Sequence, residues 1–300
     1  MSEIRFDGQV AIVTGAGGGL GKAHALLLAQ RGAAVVVNDL GGSVNGTGGD
    51  DSAASRVVAE IEAAGGRALA SFHNIADKSG AQALVHAAVE QFGRVDVLIN
   101  NAGILRDKTL SKMSLEDFDA VVQVHLLGSV YCTHAALPVM QAQNYGRIVL
   151  TTSSAGLYGN FGQSNYGAAK LGLVGFMNAL KHEGAKFNIK VNTIAPMALT
   201  RMTEGIALGR MMEGATPDKV AAGAVFLASS ACSLSGEILS VGGGYFSRVQ
   251  LLEGMGVMAP DDQATPEFVQ SHWEQIADMS EARAFDSAGA SLLAIFGHKA

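Results

Sequence analysis

The chain is poor in the residues that mark unusual chemistry or surroundings. Only two cysteines occur in 300 residues, Cys132 and Cys232, with neither metal-binding spacing nor disulfide density. That argues against a disulfide scaffold or a cysteine-ligated metal, so no metal site is expected and a reducing cytoplasm is the expected location. Five prolines stand against 38 glycines, a balance that points to tight turns and close backbone approaches rather than to disorder. Charged residues are only 16% of the chain, the net charge is −6, and no basic stripe is present, which argues against general nucleic-acid binding. No apolar run reaches the ~18–20 residues of a membrane span. The amino terminus also lacks the basic segment followed by an apolar one that directs export. No membrane association is expected.

What is present is apolar and ordered. Hydrophobic residues make up 48% of the chain, ample for a large core. Segments 9–14, 33–38, 67–72, 95–100, 146–152, 189–195 and 237–241 read as strands, and helical patterns separate them. This alternation predicts an α/β fold of the Rossmann type, a doubly wound parallel sheet of about seven strands with helices on both faces. Ligands of such sheets bind at the carboxyl ends of the strands, where Gly15, Asp39, Asn74, Asn101, Ser153 and Pro196 all fall. Residues 114–143 read as one long helix, opened by Ser114 with an acid three residues on. Pro196 reads as the stop of its strand, and 197–215, with four methionines, as a mobile segment over a site. The glycine-rich excursion 41–51 has no readable role. Residues 246–300 break the alternation: Thr265-Pro266 opens a helix that carries Trp273, and 292–296 is apolar. They are expected to form an extension that packs on the domain of residues 1–245 or on a second subunit.

Two stretches carry chemistry. Gly15-x-x-x-Gly19-x-Gly21 lies between a strand and a helix, where glycines admit a pyrophosphate and the helix start offers unpaired N–H groups. Asp39 ends the next strand. A carboxylate there accepts from both ribose hydroxyls and repels a 2′-phosphate, so NAD is the expected cofactor; a geometric turn and a solvated loop aspartate are the bland alternatives. Asn74, past the third strand, is placed to meet the adenine. The second stretch runs from Ser153 to Lys170. Tyr166 and Lys170 are four apart on a helix and share a face, so the ammonium is expected to lower the phenol below its ordinary value of about 10. Ser153, at a strand end, can donate to the same developing oxyanion. Tyr-x-x-x-Lys pairs are common on helix surfaces, and what decides between the readings is whether a hydride carrier binds nearby.

With these residues in view, residues 6–245 resemble the short-chain dehydrogenase/reductase family, through Thr14-Gly15-x-x-x-Gly19-x-Gly21, Asn100-Asn101-Ala102-Gly103, Ser153 and Tyr166-x-x-x-Lys170. The resemblance implies that Tyr166 is the general acid/base, that Lys170 tunes it and holds the nicotinamide ribose, and that Ser153 orients the substrate oxygen. It extends the cofactor contacts to Leu20, Ile75, Ala102, Gly103 and Thr200. His125 stands where the family usually has an asparagine that supports a proton-relay water; it either binds water there or is a packed structural histidine. Asn74 stands where an aspartate is common. A nearer likeness, carried by Asn38-Asp39-Leu40-Gly41-Gly42, Val124-His125-Leu126, Tyr158-Gly159-Asn160-Phe161-Gly162-Gln163 and the tail with Trp273, is to the (3R)-hydroxyacyl-CoA dehydrogenase part of type 2 peroxisomal multifunctional enzymes.

The implied activity is NAD-dependent oxidation of a (3R)-hydroxyacyl-CoA to the 3-ketoacyl thioester by a homodimer or homotetramer. The alternatives are a steroid or other hydrophobic alcohol dehydrogenase and a non-catalytic NAD-binding protein. Arg106, Lys108 and Arg201 are candidates for the CoA phosphates. Leu157, Tyr158, Phe161, Gln163 and Met197 are candidates for the acyl side. The final residues, Gly-His-Lys-Ala, are not the Ser-Lys-Leu peroxisomal signal, in keeping with a cytoplasmic, free-standing dehydrogenase.

Overall fold

The computed structural model describes residues 3–199 and 214–296. Four apolar, mostly β-branched runs build the centre of the sheet: β1 (Val10–Thr14), β2 (Ala34–Asn38), β4 (Val97–Asn100) and β5 (Gly146–Thr151) are buried at every residue. Continuous burial of that kind is the mark of a parallel sheet covered on both faces. With β3 (Arg67–Ser71), β6 (Ile189–Met197), β7 (Ile238–Gly242) and β8 (Tyr245–Val249), the order is β3-β2-β1-β4-β5-β6-β7-β8. Strands β1 to β7 pair in parallel. The reversal of strand order after β1 places a crevice at the carboxyl ends of β1 and β4.

Helices α1 (Gly19–Gln30), α2 (Ser52–Ala63), α3 (Lys78–Phe92), α4 (Leu115–Val122), α5 (Gly128–Gln143), α6 (Ser154–Tyr158), α7 (Ser164–Gly184) and α8 (Pro217–Leu227) complete the domain. α1 packs on α2 and α8, α3 on α5, and α4 on α7. One face of the core joins Leu28 of α1 and Val220 and Ala224 of α8 to Val13, Val35, Ile99, Val149 and Ile194 of the sheet.

Three local features depart from the sequence reading. The eighth strand, β8, follows Gly243 and Gly244, both at positive φ (59° and 95°), the two-residue connection that suits a hairpin. Pro196 lies inside β6, paired with Val241, rather than ending it. The register between β5 and β6 stops at Thr151 and Ile194, so beyond that point β6 has a neighbour on one side and the missing proline N–H can face the open side. The stretch expected as one helix over 114–143 is interrupted by a π-helical turn, Gln123–Leu127. The Ser114 cap is formed as the sequence suggests, its hydroxyl accepting from the Asp117 N–H at 3.1 Å. The whole stretch Leu115–Gln143 is long and apolar enough to cross a membrane by length and composition, with 39% of its apolar window buried; Val121, Cys132, Ala136 and Met140 are among its buried side chains.

By its internal contacts the chain forms two compact units, Met1–Arg248 and Val249–Ala300. In the second, Thr265 caps α9 (Pro266–Ser271) by accepting from the Phe268 N–H at 3.2 Å. The helix expected to carry Trp273 breaks at His272, which stacks on Phe268, and resumes as α10 (Trp273–Ile276). A last helix, α11, covers Ala288–Phe296.

Candidate active site

The glycine turn is held from two sides. Gly15 has φ of 63°, and a Cβ on it would come within 2.7 Å of the Ala102 Cα; a Cβ on Gly21 would come within 2.2 Å of the Gly15 carbonyl oxygen. No side chain fits at either position. The Asn101 amide donates to the carbonyls of Thr14 and Gly15, both at 3.0 Å. The Thr14 hydroxyl accepts from the N–H groups of Asn101 and Ala102. Asn101, read from the sequence as a cofactor contact, therefore acts by fastening the turn to the end of β4. Asp39 holds the other side, its two oxygens accepting from the N–H groups of Gly17 at 2.7 Å and Gly41 at 2.6 Å. A carboxylate has about four acceptor sites, so capacity remains for ribose hydroxyls. This bare-backbone cradle, a helix start beyond it and a carboxylate at the next strand end fit a dinucleotide: Gly15 to Gly21 would hold the pyrophosphate and Asp39 the adenosine ribose.

The second half of the site gathers on β5, α6 and α7. Ser153 caps α6, accepting from the Ala155 N–H at 3.2 Å, and its hydroxyl lies near enough to the Tyr166 phenol to favour its ionised form. Lys170 is buried. Its ammonium donates to the Thr151 carbonyl at 2.5 Å and lies 5.5 Å from the centre of the Tyr166 ring. The expected lowering of the phenol by Lys170 is not what these surroundings produce. Burial pushes the Tyr166 phenol up, the nearby Ser153 hydroxyl pulls it down, and the Asp107 carboxylate pushes it up again, for a net rise. Burial also pushes Lys170 down to about 7, so its charge is only partly present at neutral pH.

His125 reaches this centre because the π turn adds a residue to the helix and re-aims the side chain, a device frequent at functional sites. Its ring stands edge-on to Tyr166, centres 5.1 Å apart. Nε2 sits between the N–H and the carbonyl of Ile104, at 3.0 and 2.7 Å, while Nδ1 is buried without a hydrogen-bond partner among the described residues. Burial, with Lys170 nearby, holds the imidazole well below its ordinary value and therefore neutral. A Cβ on Gly103 would come within 2.1 Å of the ring. Gly103 is thus bare because His125 lies against it.

Several other expected residues are engaged within the chain. Arg106, expected on CoA phosphates, donates to the Asn45 carbonyl at 3.0 Å and pairs with Asp117 at 3.1 Å; Lys108 pairs with the same carboxylate at 3.2 Å. The Asn74 amide, expected on the adenine, donates to Asp77 and accepts from the Ala76 N–H, so it shapes the start of α3. Gln163 donates to Asp107 at 2.6 Å. Tyr158 and Phe161 are exposed, 74% and 88%, and Met197 is about half exposed at 49%, while Leu157, Leu20 and Pro196 are half-buried and Ile75 is buried. Thr200, Arg201 and most of the 197–215 segment lie outside the described residues. The sequence reading missed Asn38, whose buried amide ties β2 to Ser71 and His73. It also missed Asn165, whose place in the first turn of α7 beside Tyr166 was the available signal. Among the described residues no cluster of metal-ligating side chains is present.

The family model described as short chain dehydrogenase matches residues 9–209. The chain is 48% identical to mouse peroxisomal multifunctional enzyme type 2 over 94% of its own length and 38% of that protein's, so it spans less than half of that relative. Among solved structures it is similar to a short chain dehydrogenase from Mycobacterium avium, with TM-score 0.79 and 37% identity, covering 93% of this chain and 96% of the other. It is also similar to a 7α-hydroxysteroid dehydrogenase complexed with NADH and 7-oxo glycochenodeoxycholic acid, with TM-score 0.73 and 32% identity, over 80% of this chain and 95% of that one.

Proposed function

Because the chain belongs to the short-chain dehydrogenase family, and so is an oxidoreductase of CH–OH groups built for a nicotinamide cofactor, we propose that it interconverts a (3R)-hydroxyacyl-CoA and the 3-ketoacyl thioester with NAD. The observation that carries the reading is the gathering of Ser153, Tyr166 and the buried Lys170, whose ammonium lies 5.5 Å from the Tyr166 ring centre, at the same sheet edge as the glycine cradle. A pure nucleotide-binding module needs no such set. A bound nicotinamide would supply the hydride acceptor or donor. Tyr166 exchanges the proton of the substrate oxygen, Ser153 orients that oxygen, and Lys170 would hold the nicotinamide ribose beside the phenol. With the oxygen fixed by two hydroxyls and the hydride position fixed by the cradle, one hand of the carbon is correctly presented.

The choice of NAD over NADP rests on Asp39, whose carboxylate would face a 2′-phosphate. The thioester rests on the likeness to multifunctional enzymes of type 2. An apolar alcohol such as a steroid is the second reading, supported by the hydroxysteroid dehydrogenase among the similar structures and by the exposed Tyr158, Phe161 and Met197 at the carboxyl edge. A homo-oligomer in the cytoplasm completes the proposal. The test is a kinetic comparison of both enantiomers of a 3-hydroxyacyl-CoA and a free steroid alcohol, each with NAD and NADP. The expected result is preference for the R thioester with NAD. Preference for the S thioester, or steroid oxidation without thioester activity, overturns the substrate; equal use of NADP overturns the role of Asp39.

A further inference from the structure

The first turn of α7 contains a side chain with no role in the chemistry so far described and with more fixed polar contacts than any group in that chemistry. Asn165 is fully buried, at 0% exposure. Its Oδ1 accepts from the backbone N–H of Tyr166 at 2.7 Å. Its Nδ2 donates to the carbonyl of Arg106 at 3.1 Å and, more weakly, to the carbonyl of Asp117 at 3.5 Å. One amide thus joins three segments: the start of α7, the loop after β4 and α4. The N–H groups at a helix start have no partner within the helix. Here one of them, that of Tyr166, is satisfied by a side chain anchored elsewhere, which fixes both the rotation of α7 about its axis and its distance from β4.

The loop it grips is itself a junction. The Leu105 N–H donates to the Val44 carbonyl at 2.9 Å, Arg106 reaches Asn45, and the Lys108 N–H donates to the Gly162 carbonyl at 2.9 Å. The excursion after β2, on the adenosine side of the crevice, and the loop leading into α7 are therefore both fastened to residues 105–108. We propose that Asn165 is the positioning residue for Tyr166, holding the phenol where it can exchange a proton with the substrate oxygen by locking the first turn of α7 to this junction. The inference rests on the reading of Tyr166 as the acid/base.

A phenol displaced by about 1 Å loses about 10²-fold in rate while nucleotide binding is untouched. The experiment uses the full chain labelled with 3-fluorotyrosine and two variants. Asn165→Asp keeps the acceptor for the Tyr166 N–H and loses both donors; Asn165→Ser is smaller, stays polar and covers the case in which a buried carboxylate prevents folding. The fluorine signal of Tyr166 among the five tyrosines is assigned by its loss in Tyr166→Phe. In the variants it is expected to shift or broaden while the other four hold. Turnover is expected to fall by about 10²-fold with a larger solvent deuterium isotope effect and an unchanged NADH dissociation constant. An unmoved Tyr166 signal with an unchanged isotope effect, accompanied only by a lower melting temperature, overturns the proposal and leaves Asn165 as a stabilising cap. Absence of turnover in the unaltered protein refutes the proposed function instead, and the fluorine signal then decides the positioning claim by itself.

Discussion

With Tyr166 as the proposed acid/base, burial that pushes its phenol up keeps the proton in place for a ketone and requires it to leave before an alcohol is oxidised. Two opposite pH dependences follow. Oxidation depends on the phenolate, whose fraction grows as pH approaches the raised value, so its turnover is expected to climb through the alkaline range. Reduction uses the phenol and is expected to stay level at neutral pH and fall only at high pH. Lys170, pushed down to about 7 by burial, adds a second titration in the neutral range. Tyr166→Phe is expected to lower both directions by about 10²–10⁴-fold with NADH binding retained. Rates measured in both directions across pH check this; parallel profiles would place the proton transfer on another group. At this scale the identities were legible, because four residues bring two side chains to one helix face whatever surrounds them. The direction of the phenol's shift was not, because desolvation depends on what is packed over the ring, and spacing carries no record of that.

At the scale of elements, the strands that are buried on both faces were plain in the sequence: Val-Ala-Ile-Val and Ala-Val-Val-Val admit little else. The interruption of the helix at Gln123–Leu127 was not, since a π turn leaves apolar periodicity nearly intact and shows itself only in which side chain is re-aimed. That turn brings His125 against Gly103, and the pair can be tested as a unit. In Gly103→Ala the new Cβ overlaps the His125 Cε1 position at 2.1 Å in a fully packed region, so a destabilisation of about 1–3 kcal/mol is expected, with a loss of turnover because the ring also touches Tyr166. Adding His125→Asn, which shortens the side chain, is expected to restore part of the stability. Additive losses in denaturant unfolding of the single and double variants would show that the two positions do not compete for space. The strand β8 escaped notice for a different reason: Tyr-Phe-Ser-Arg-Val alternates weakly, follows three glycines, and has Tyr245 and Phe246 exposed.

For the molecule as a whole, stability in acid and the status of the second unit are the properties left to test. His24 of α1 is fully buried, neither ring nitrogen has a hydrogen-bond partner, and burial pushes it down to about 4 from 6.5. A depressed folded value means that the unfolded chain takes up this proton first, so the contribution is complete above 6.5 and is lost as pH falls from 6.5 to about 4. The loss is on the order of 3 kcal/mol, and His24→Leu is expected to flatten the unfolding free energy over that window. An unchanged slope would mean that the ring protonates in place. The second unit, Val249–Ala300, presents a different balance. None of its described residues is buried, and Leu251, Leu252, Trp273, Leu292, Leu293 and Phe296 are each more than half exposed. Fifty or so residues are marginal for a core under any arrangement, and a segment that buries none of its large apolar side chains internally has nothing to offset the entropy of ordering its helices. Its order is therefore expected to come from a surface outside itself, a subunit contact being one such surface. Residues 249–300 prepared alone are therefore expected to show no cooperative thermal transition by circular dichroism, while the full chain sediments as an oligomer. A sharp transition in the isolated segment would mean that the unit holds its fold by contacts of its own, and a full chain that stays monomeric at micromolar concentration would remove the subunit contact.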